Sequence, residues 1–106
     1  MSLEQEMQIF RGYTEFLAET FSRKRADYGP TTTETFEKFG PVSMLVRMHD
    51  KLGRLDNLLG CNEVPCVQEE SIEDTLVDLA NYALITLLEL RKAREHRCKE
   101  DIAVRR

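Results

Sequence analysis

Several features that would assign a protein class at once are missing from this 106-residue chain. It has no tryptophan, only five glycines, and no Gly-rich loop of the kind that cradles phosphate. No run of about 18 apolar residues is present, so we expect no membrane span. The three cysteines are odd in number and lack zinc-ligand spacing, which argues against a disulfide framework and a zinc site. The acidic start of the chain does not fit an export signal, so we expect a reducing cytoplasm.

Composition and charge favour one folded domain without a duplex nucleic acid partner. The chain is 42% hydrophobic and 32% charged, with a net charge of −4. Its length predicts a single domain over residues 1–106. Residues 91–106 carry seven basic and three acidic side chains and read as a basic helical extension, so the rest is strongly acidic. Duplex binding depends on neutralising phosphates, which an acidic body does not do.

The positions of glycine and proline divide the chain into helical segments. Ser2 and Gln5 form a capping box that opens the first helix, and Gly29-Pro30 stops it near Asp27. We predict three helices: two lie over residues 2–27 and 41–60, and a long one begins near Ser71, a second capping candidate with Asp74 three residues later, and runs past Leu90. Loops over residues 31–39 and 61–69 join them. No sustained alternation of apolar and polar residues indicates a strand. The fold class that follows is all-α, an antiparallel helical bundle.

The third predicted helix is apolar on nearly every side. Between Thr75 and Leu88 the only charged residue is Asp78. A helix of this kind is normally covered on most faces, and three helices of this length offer too little material to cover it. We therefore expect self-association, as a homodimer or a higher oligomer that completes the bundle.

The second predicted helix carries two stripes. Apolar residues at alternating spacings of three and four form one of them, namely Leu45, Met48, Leu52, Leu55 and Leu59. Charged residues at i, i+3, i+4 and i+7 form the other, namely Arg47, Asp50, Lys51 and Arg54. Opposite these charges, the third helix offers a polar stripe made of Asp74, Asp78, Asn81 and Tyr82, extended backwards by Glu70.

Asp78 requires a positive partner because an unpaired buried carboxylate costs several kcal/mol. Two interpretations of that partner are open at this point. In the first, Arg47 and Arg54 pair with Asp74 and Asp78 inside the bundle and have no further role. In the second, the carboxylates collect Mg²⁺ through oxygen ligands while the cations meet a polyphosphate.

Three stretches of the sequence resemble a known family. They read KRADYGP at 24–30, FGPVSMLVRMHDKLGRLDNLL at 39–59 and ESIEDTLVDLANYALI at 70–85. Together they are similar to the nucleotide modification associated domain family of phages and bacteria. That family is in turn similar to the all-α MazG-like nucleoside triphosphate pyrophosphatases. The resemblance implies a MazG-like bundle, a nucleotide ligand and a Mg²⁺ cofactor.

The resemblance also implies a role for each matching position. MazG-like enzymes hold Mg²⁺ between carboxylates of two antiparallel helices and cleave between the α- and β-phosphates. Carried over, the catalytic and metal-binding carboxylates would be Asp50, Asp74 and Asp78, with Glu70 as an extra ligand or base. The implied substrate-binding residues are Arg47, Lys51, Arg54, Asn81, Tyr82, Lys24 and Tyr28.

The carboxylate count departs from the MazG-like pattern. The earlier helix usually carries E-E-x-x-E, whereas this chain reads RMHDKLGR with one acid, and Thr75 stands where the later helix usually has a Glu. Fewer carboxylates and more cations favour direct phosphate binding over metal binding. Three functions are therefore open: a Mg²⁺-dependent pyrophosphatase, a nucleotide binder without catalysis, and a helical interaction module without a ligand.

Overall fold

A computed structural model describes the backbone of residues 1–28, 30–60 and 65–105, and the side chains among them other than 27, 28, 65–71 and 101–105. Four helices follow one another along the chain: α1 (Leu3–Tyr28), α2 (Thr31–Phe39), α3 (Val42–Gly60) and α4 (Pro65–Arg105). Every described element is helical, which confirms the all-α class. Within these residues, no helix combines the length and the apolar character that crossing a membrane requires.

The chain divides into two compact units, Met1–Thr32 and Thr33–Arg106. The first unit consists mainly of α1, and the capping box predicted at its start is present. The Ser2 backbone N–H donates to Gln5 Oε1 at 2.8 Å, and the Gln5 N–H donates to Ser2 Oγ at 3.2 Å. These two bonds satisfy backbone donors that a helix start leaves without partners.

The Thr-rich segment Thr31–Phe39 is a helix, so the predicted loop is wrong. Thr is a poor helix former because its branched side chain is restricted against the preceding turn. Two features outweigh this here: Pro30 directly precedes the helix, where its fixed φ favours a helix start, and Phe36 is buried. Tertiary packing thus overrides local propensity in α2.

A glycine turn links α2 to α3. Gly40 has φ = 75°, and its N–H donates to the Phe36 carbonyl at 2.7 Å. This is the left-handed cap that commonly ends a helix, and it is a conformation that glycine adopts without steric cost. Pro41 then opens α3, and the Leu45 N–H donates to its carbonyl at 3.1 Å. The predicted start of the second helix is therefore confirmed to within one residue.

Helix α4 begins earlier than the sequence predicts, at Pro65 rather than near residue 71. It runs through the basic segment to Arg105, in agreement with the predicted helical extension. Proline is well suited to the first helical position because the N–H that it lacks would have no partner there. Ser71 consequently lies inside the helix and does not cap it. At about 1.5 Å per residue, α4 is about 60 Å long.

The core of the second unit lies where α3 packs on α4. Met44 and Leu55 are buried, whereas Leu45, Leu52 and Leu59 are exposed. The buried pair is eleven residues apart, which places both on one side of a helix. That side also carries Lys51, so the face of α3 toward α4 is partly charged. Of the apolar stripe recognised in the sequence, Leu55 is the buried member, so most of that stripe lies outside the contact with α4.

The finer predictions about assembly remain predictions. Large apolar side chains are exposed along α4, including Leu76, Leu84 and Leu87. Exposed leucines are compatible with the homodimer or higher oligomer that the apolar sequence predicts. The MazG-like arrangement of the bundle and the single-domain boundary at 1–106 likewise stay predictions.

Candidate functional site

Polar groups are buried on the side of α4 that faces α3. Thr75 is 2% exposed and Asn81 is 7% exposed, whereas Leu76 and Leu84 on other sides of the helix are exposed. A helix that turns polar groups inward and leucines outward reverses the usual pattern. Such inversions occur where polar groups serve one another or a ligand.

Asp78 forms an ion pair with Lys51. A positive partner is what its position in an apolar segment requires. Lys51 Nζ lies 3.0 Å from Asp78 Oδ2, and the two side chains are 26% and 35% exposed. The first interpretation, in which Arg47 and Arg54 take the two aspartates, is therefore corrected. The register of α3 on α4 places Lys51 at the level of Asp78, and its long unbranched chain spans the gap.

Arg47 makes a second contact between the two helices. Its guanidinium carbon lies 6.0 Å from the centre of the Tyr82 ring, within the range of a cation–π contact. Arg47 precedes Lys51 by four residues on α3, and Tyr82 follows Asp78 by four residues on α4. From the first contact to the second, the residue number rises on α3 and falls on α4. The two helices are therefore antiparallel.

The three cations of α3 differ in whether they form an ion pair. Among the residues that the structure describes, neither Arg47 nor Arg54 forms a salt bridge. They lie one turn to either side of Lys51, so the three cations extend over about 10 Å of one α3 stripe. Guanidinium groups with donors to spare are the usual partners of phosphate oxygens.

Asn81 adds a polar side chain that is only 7% exposed. Its amide forms no hydrogen bond with any described residue, but neither amide atom is among the fully shielded polar atoms that lack a partner. The amide therefore keeps some contact with solvent and can hydrogen-bond to a bound molecule. We refer to the surface made by Arg47, Lys51, Arg54, Thr75, Asp78, Asn81 and Tyr82 as the α3–α4 polar face.

Two of the other predicted carboxylates, Asp50 and Asp74, are exposed. Asp74 lies one turn before Asp78 on α4, and Asp50 lies about 100° around α3 from Lys51. No group of three or more His, Cys, Asp or Glu side chains able to hold a metal ion occurs within the described side chains. The described residues therefore do not by themselves fit a Mg²⁺ site.

The structure does not test three further predicted site residues. The side chains of Glu70 and Tyr28 lie outside the described residues. Lys24 is exposed on α1, in the compact unit Met1–Thr32. Their predicted roles stay predictions.

The sequence prediction missed a second polar cluster, at the α2 end of α4. Glu89 is 2% exposed, and its Oε1 accepts hydrogen bonds from Thr33 Oγ1 at 2.8 Å and Lys92 Nζ at 3.1 Å. Lys92 Nζ also donates to Thr33 Oγ1 at 3.2 Å. One signal could have found it: Glu89 follows Asp78 by eleven residues, so both lie on the same side of α4. Because the sequence analysis assigned Thr33 to a loop, it did not indicate that Thr33 is a hydrogen-bond partner of Glu89.

Comparison with known proteins gives one family. The family model described as nucleotide modification associated domain 1 matches residues 24–90, which contain α2, α3 and the first part of α4. The match covers well over half of the chain and includes the whole α3–α4 polar face. No curated protein and no solved structure matches the chain significantly.

Proposed function

This chain belongs to the family described as nucleotide modification associated domain 1, and from that premise we propose that its α3–α4 polar face binds a nucleotide through the phosphates. In this proposal Arg47, Lys51 and Arg54 hold the phosphate oxygens directly. Asn81 and Tyr82, one turn beyond Asp78, contact the sugar or the base.

The observation that carries the proposal is the charge arrangement around the Lys51–Asp78 pair. Two guanidinium groups that form no ion pair with any described residue flank Lys51, which pairs with the half-buried carboxylate of Asp78 across the helix interface. A phosphate carries more negative charge than Asp78 and can accept hydrogen bonds from several donors at once. Phosphate binding would therefore compete with Asp78 for the lysine and would engage both arginines.

A second candidate is the Mg²⁺-dependent nucleoside triphosphate pyrophosphatase that the resemblance to MazG-like enzymes implies. What favours it is the position of Asp78, a carboxylate held beside the proposed phosphate-binding cations. Asp50, Asp74 and Glu70 are the remaining carboxylates that this candidate assigns to catalysis and metal binding. Self-association and a cytoplasmic place in phage or bacterial nucleotide metabolism complete the proposal.

Calorimetric titration of the full chain with nucleoside tri-, di- and monophosphates tests the proposal. We expect affinity to rise with the number of phosphates and to fall with added NaCl, because the attraction between the charges is screened. At a hundredfold excess over the dissociation constant, the ligand should stabilise the fold by about 2.7 kcal/mol. The titrations are run both in EDTA and in Mg²⁺.

The outcomes separate the candidate functions. Pyrophosphate release from any triphosphate in Mg²⁺ identifies the enzyme, provided that Asp78→Asn abolishes it. Binding without release identifies the nucleotide binder. If no nucleotide binds in either buffer and none raises the melting temperature, both candidates are rejected and the helical interaction module remains.

A further inference from the structure

A groove lies between α2 and the C-terminal half of α4, away from the α3–α4 polar face. Its volume is about 650 Å³, within the range of about 300–1,000 Å³ that is typical of small-molecule sites. Phe36 of α2 and Ala93 of α4 give it apolar walls, and Glu89 and Lys92 contribute charged groups. All of these residues belong to the unit Thr33–Arg106.

The Glu89 carboxylate has hydrogen-bonding capacity to spare. Thr33 and Lys92 both donate to Oε1, whereas Oε2 receives no hydrogen bond from any described residue. Oε2 is nevertheless not among the fully shielded polar atoms that lack a partner, so it keeps some contact with solvent in a residue that is only 2% exposed. Since Glu89 lines the groove, we take this contact as the route by which a donor on a bound molecule reaches Oε2.

Lys92 supplies a donor beside this acceptor. An ammonium group has three N–H donors, and Lys92 uses two of them, on Glu89 Oε1 and on Thr33 Oγ1. The third donates to no described residue. The groove thus presents one acceptor and one donor side by side, close to the aromatic ring of Phe36.

We propose that this Glu89 groove binds a nucleobase. The Watson–Crick edge of a base carries a donor next to an acceptor, and base-binding sites combine hydrogen bonds to that edge with an aromatic contact to the flat ring. Glu89 Oε2 accepts from the base N–H, Lys92 Nζ donates to the neighbouring acceptor, and Phe36 contacts the ring. The choice of ligand class rests on the proposed function, but the groove geometry does not depend on the α3–α4 polar face.

Titration of the ¹⁵N-labelled full chain with guanosine, cytidine, adenosine and uridine, followed by NMR, tests the proposal. Nucleosides carry no phosphate, so they probe the groove independently of the cations of α3. We expect saturable shifts of the backbone amides of Thr33, Phe36, Glu89 and Lys92 with at least one nucleoside. Glu89→Gln, which keeps the side-chain size but removes the charge, should weaken binding roughly tenfold.

Two further variants control for folding. Glu95→Gln makes the same change on the groove rim, at an exposed side chain, and should leave the affinity within twofold. Ala93→Leu fills the groove without removing any hydrogen bond and should abolish binding while the helical circular dichroism signal is retained. Retained binding in Ala93→Leu would place the nucleoside elsewhere and overturn the proposal.

Other outcomes also decide the matter. The absence of saturable shifts with all four nucleosides overturns the proposal. The proposal is also overturned if the groove binds putrescine, a diamine without a ring, and none of the nucleosides. Triphosphate binding in calorimetry without nucleoside binding keeps the proposed function and removes the Glu89 groove from it. Nucleoside binding without triphosphate binding supports the groove and rejects the phosphate site on α3.

Discussion

Replacing Lys51 with methionine is expected to weaken binding of a nucleoside triphosphate by roughly tenfold to a hundredfold. A hydrogen bond to a charged group contributes about 1.5–3 kcal/mol, and about 1.4 kcal/mol corresponds to a tenfold change in affinity. Methionine keeps the length of the side chain and its contact with α4 but removes the ammonium group. The measurement is the dissociation constant from calorimetry in EDTA, for the wild type and the variant.

Lys38→Met is the matched control for this prediction. Lys38 is an exposed lysine of α2 whose ammonium lies 5.4 Å from the centre of the Phe39 ring, and it takes no part in the α3–α4 polar face. Lys38→Met removes the same positive charge as Lys51→Met, so a general effect of net charge on binding would appear equally in both variants. Equal losses in Lys51→Met and Lys38→Met would remove Lys51 from the phosphate site.

Met44→Ala should lower the free energy of unfolding by about 2–5 kcal/mol. Met44 is 1% exposed and lies on the side of α3 that also carries Leu55 and Lys51. Truncating it leaves a cavity where α3 packs on α4, and in a chain of this size about 1 kcal/mol corresponds to roughly 4 °C or more in melting temperature. We therefore expect the melting temperature to fall by about 10 °C or more in thermal denaturation followed by circular dichroism.

Val46→Ala provides the comparison within the same helix turn. Val46 is 55% exposed, and surface substitutions of this kind usually change stability by at most about 0.5 kcal/mol. If the two alanine variants melt at the same temperature, Met44 is not part of the core and the described packing of α3 on α4 is incorrect.

Helix type and helix ends were largely accessible from the sequence, because their signals are local. The capping box at Ser2, the stop at Gly29-Pro30 and the start at Gly40-Pro41 each depend on a few neighbouring residues. Thr31–Phe39 could not be assigned in this way, since its helix depends on burial of Phe36 rather than on threonine. The early start of α4 at Pro65 was missed because Ser71 offered a plausible cap further on.

The site was predictable in kind but not in detail. The cost of burying Asp78 required a cation opposite it, and the structure supplies one at 3.0 Å. Which of Arg47, Lys51 and Arg54 it would be depends on the register between two helices, and that is set by tertiary packing. The buried Glu89 cluster joins residues 56 positions apart, a distance at which no local pattern indicates contact.

Titration of the Asp78→Asn variant with a nucleoside triphosphate in EDTA tests most directly whether the cations of α3 hold phosphate themselves. The substitution keeps the side-chain shape but removes the charge that competes for Lys51 and repels phosphate. Direct binding by Arg47, Lys51 and Arg54 predicts that the variant binds several-fold more tightly than the wild type. Weaker binding than wild type, or none, would contradict the account.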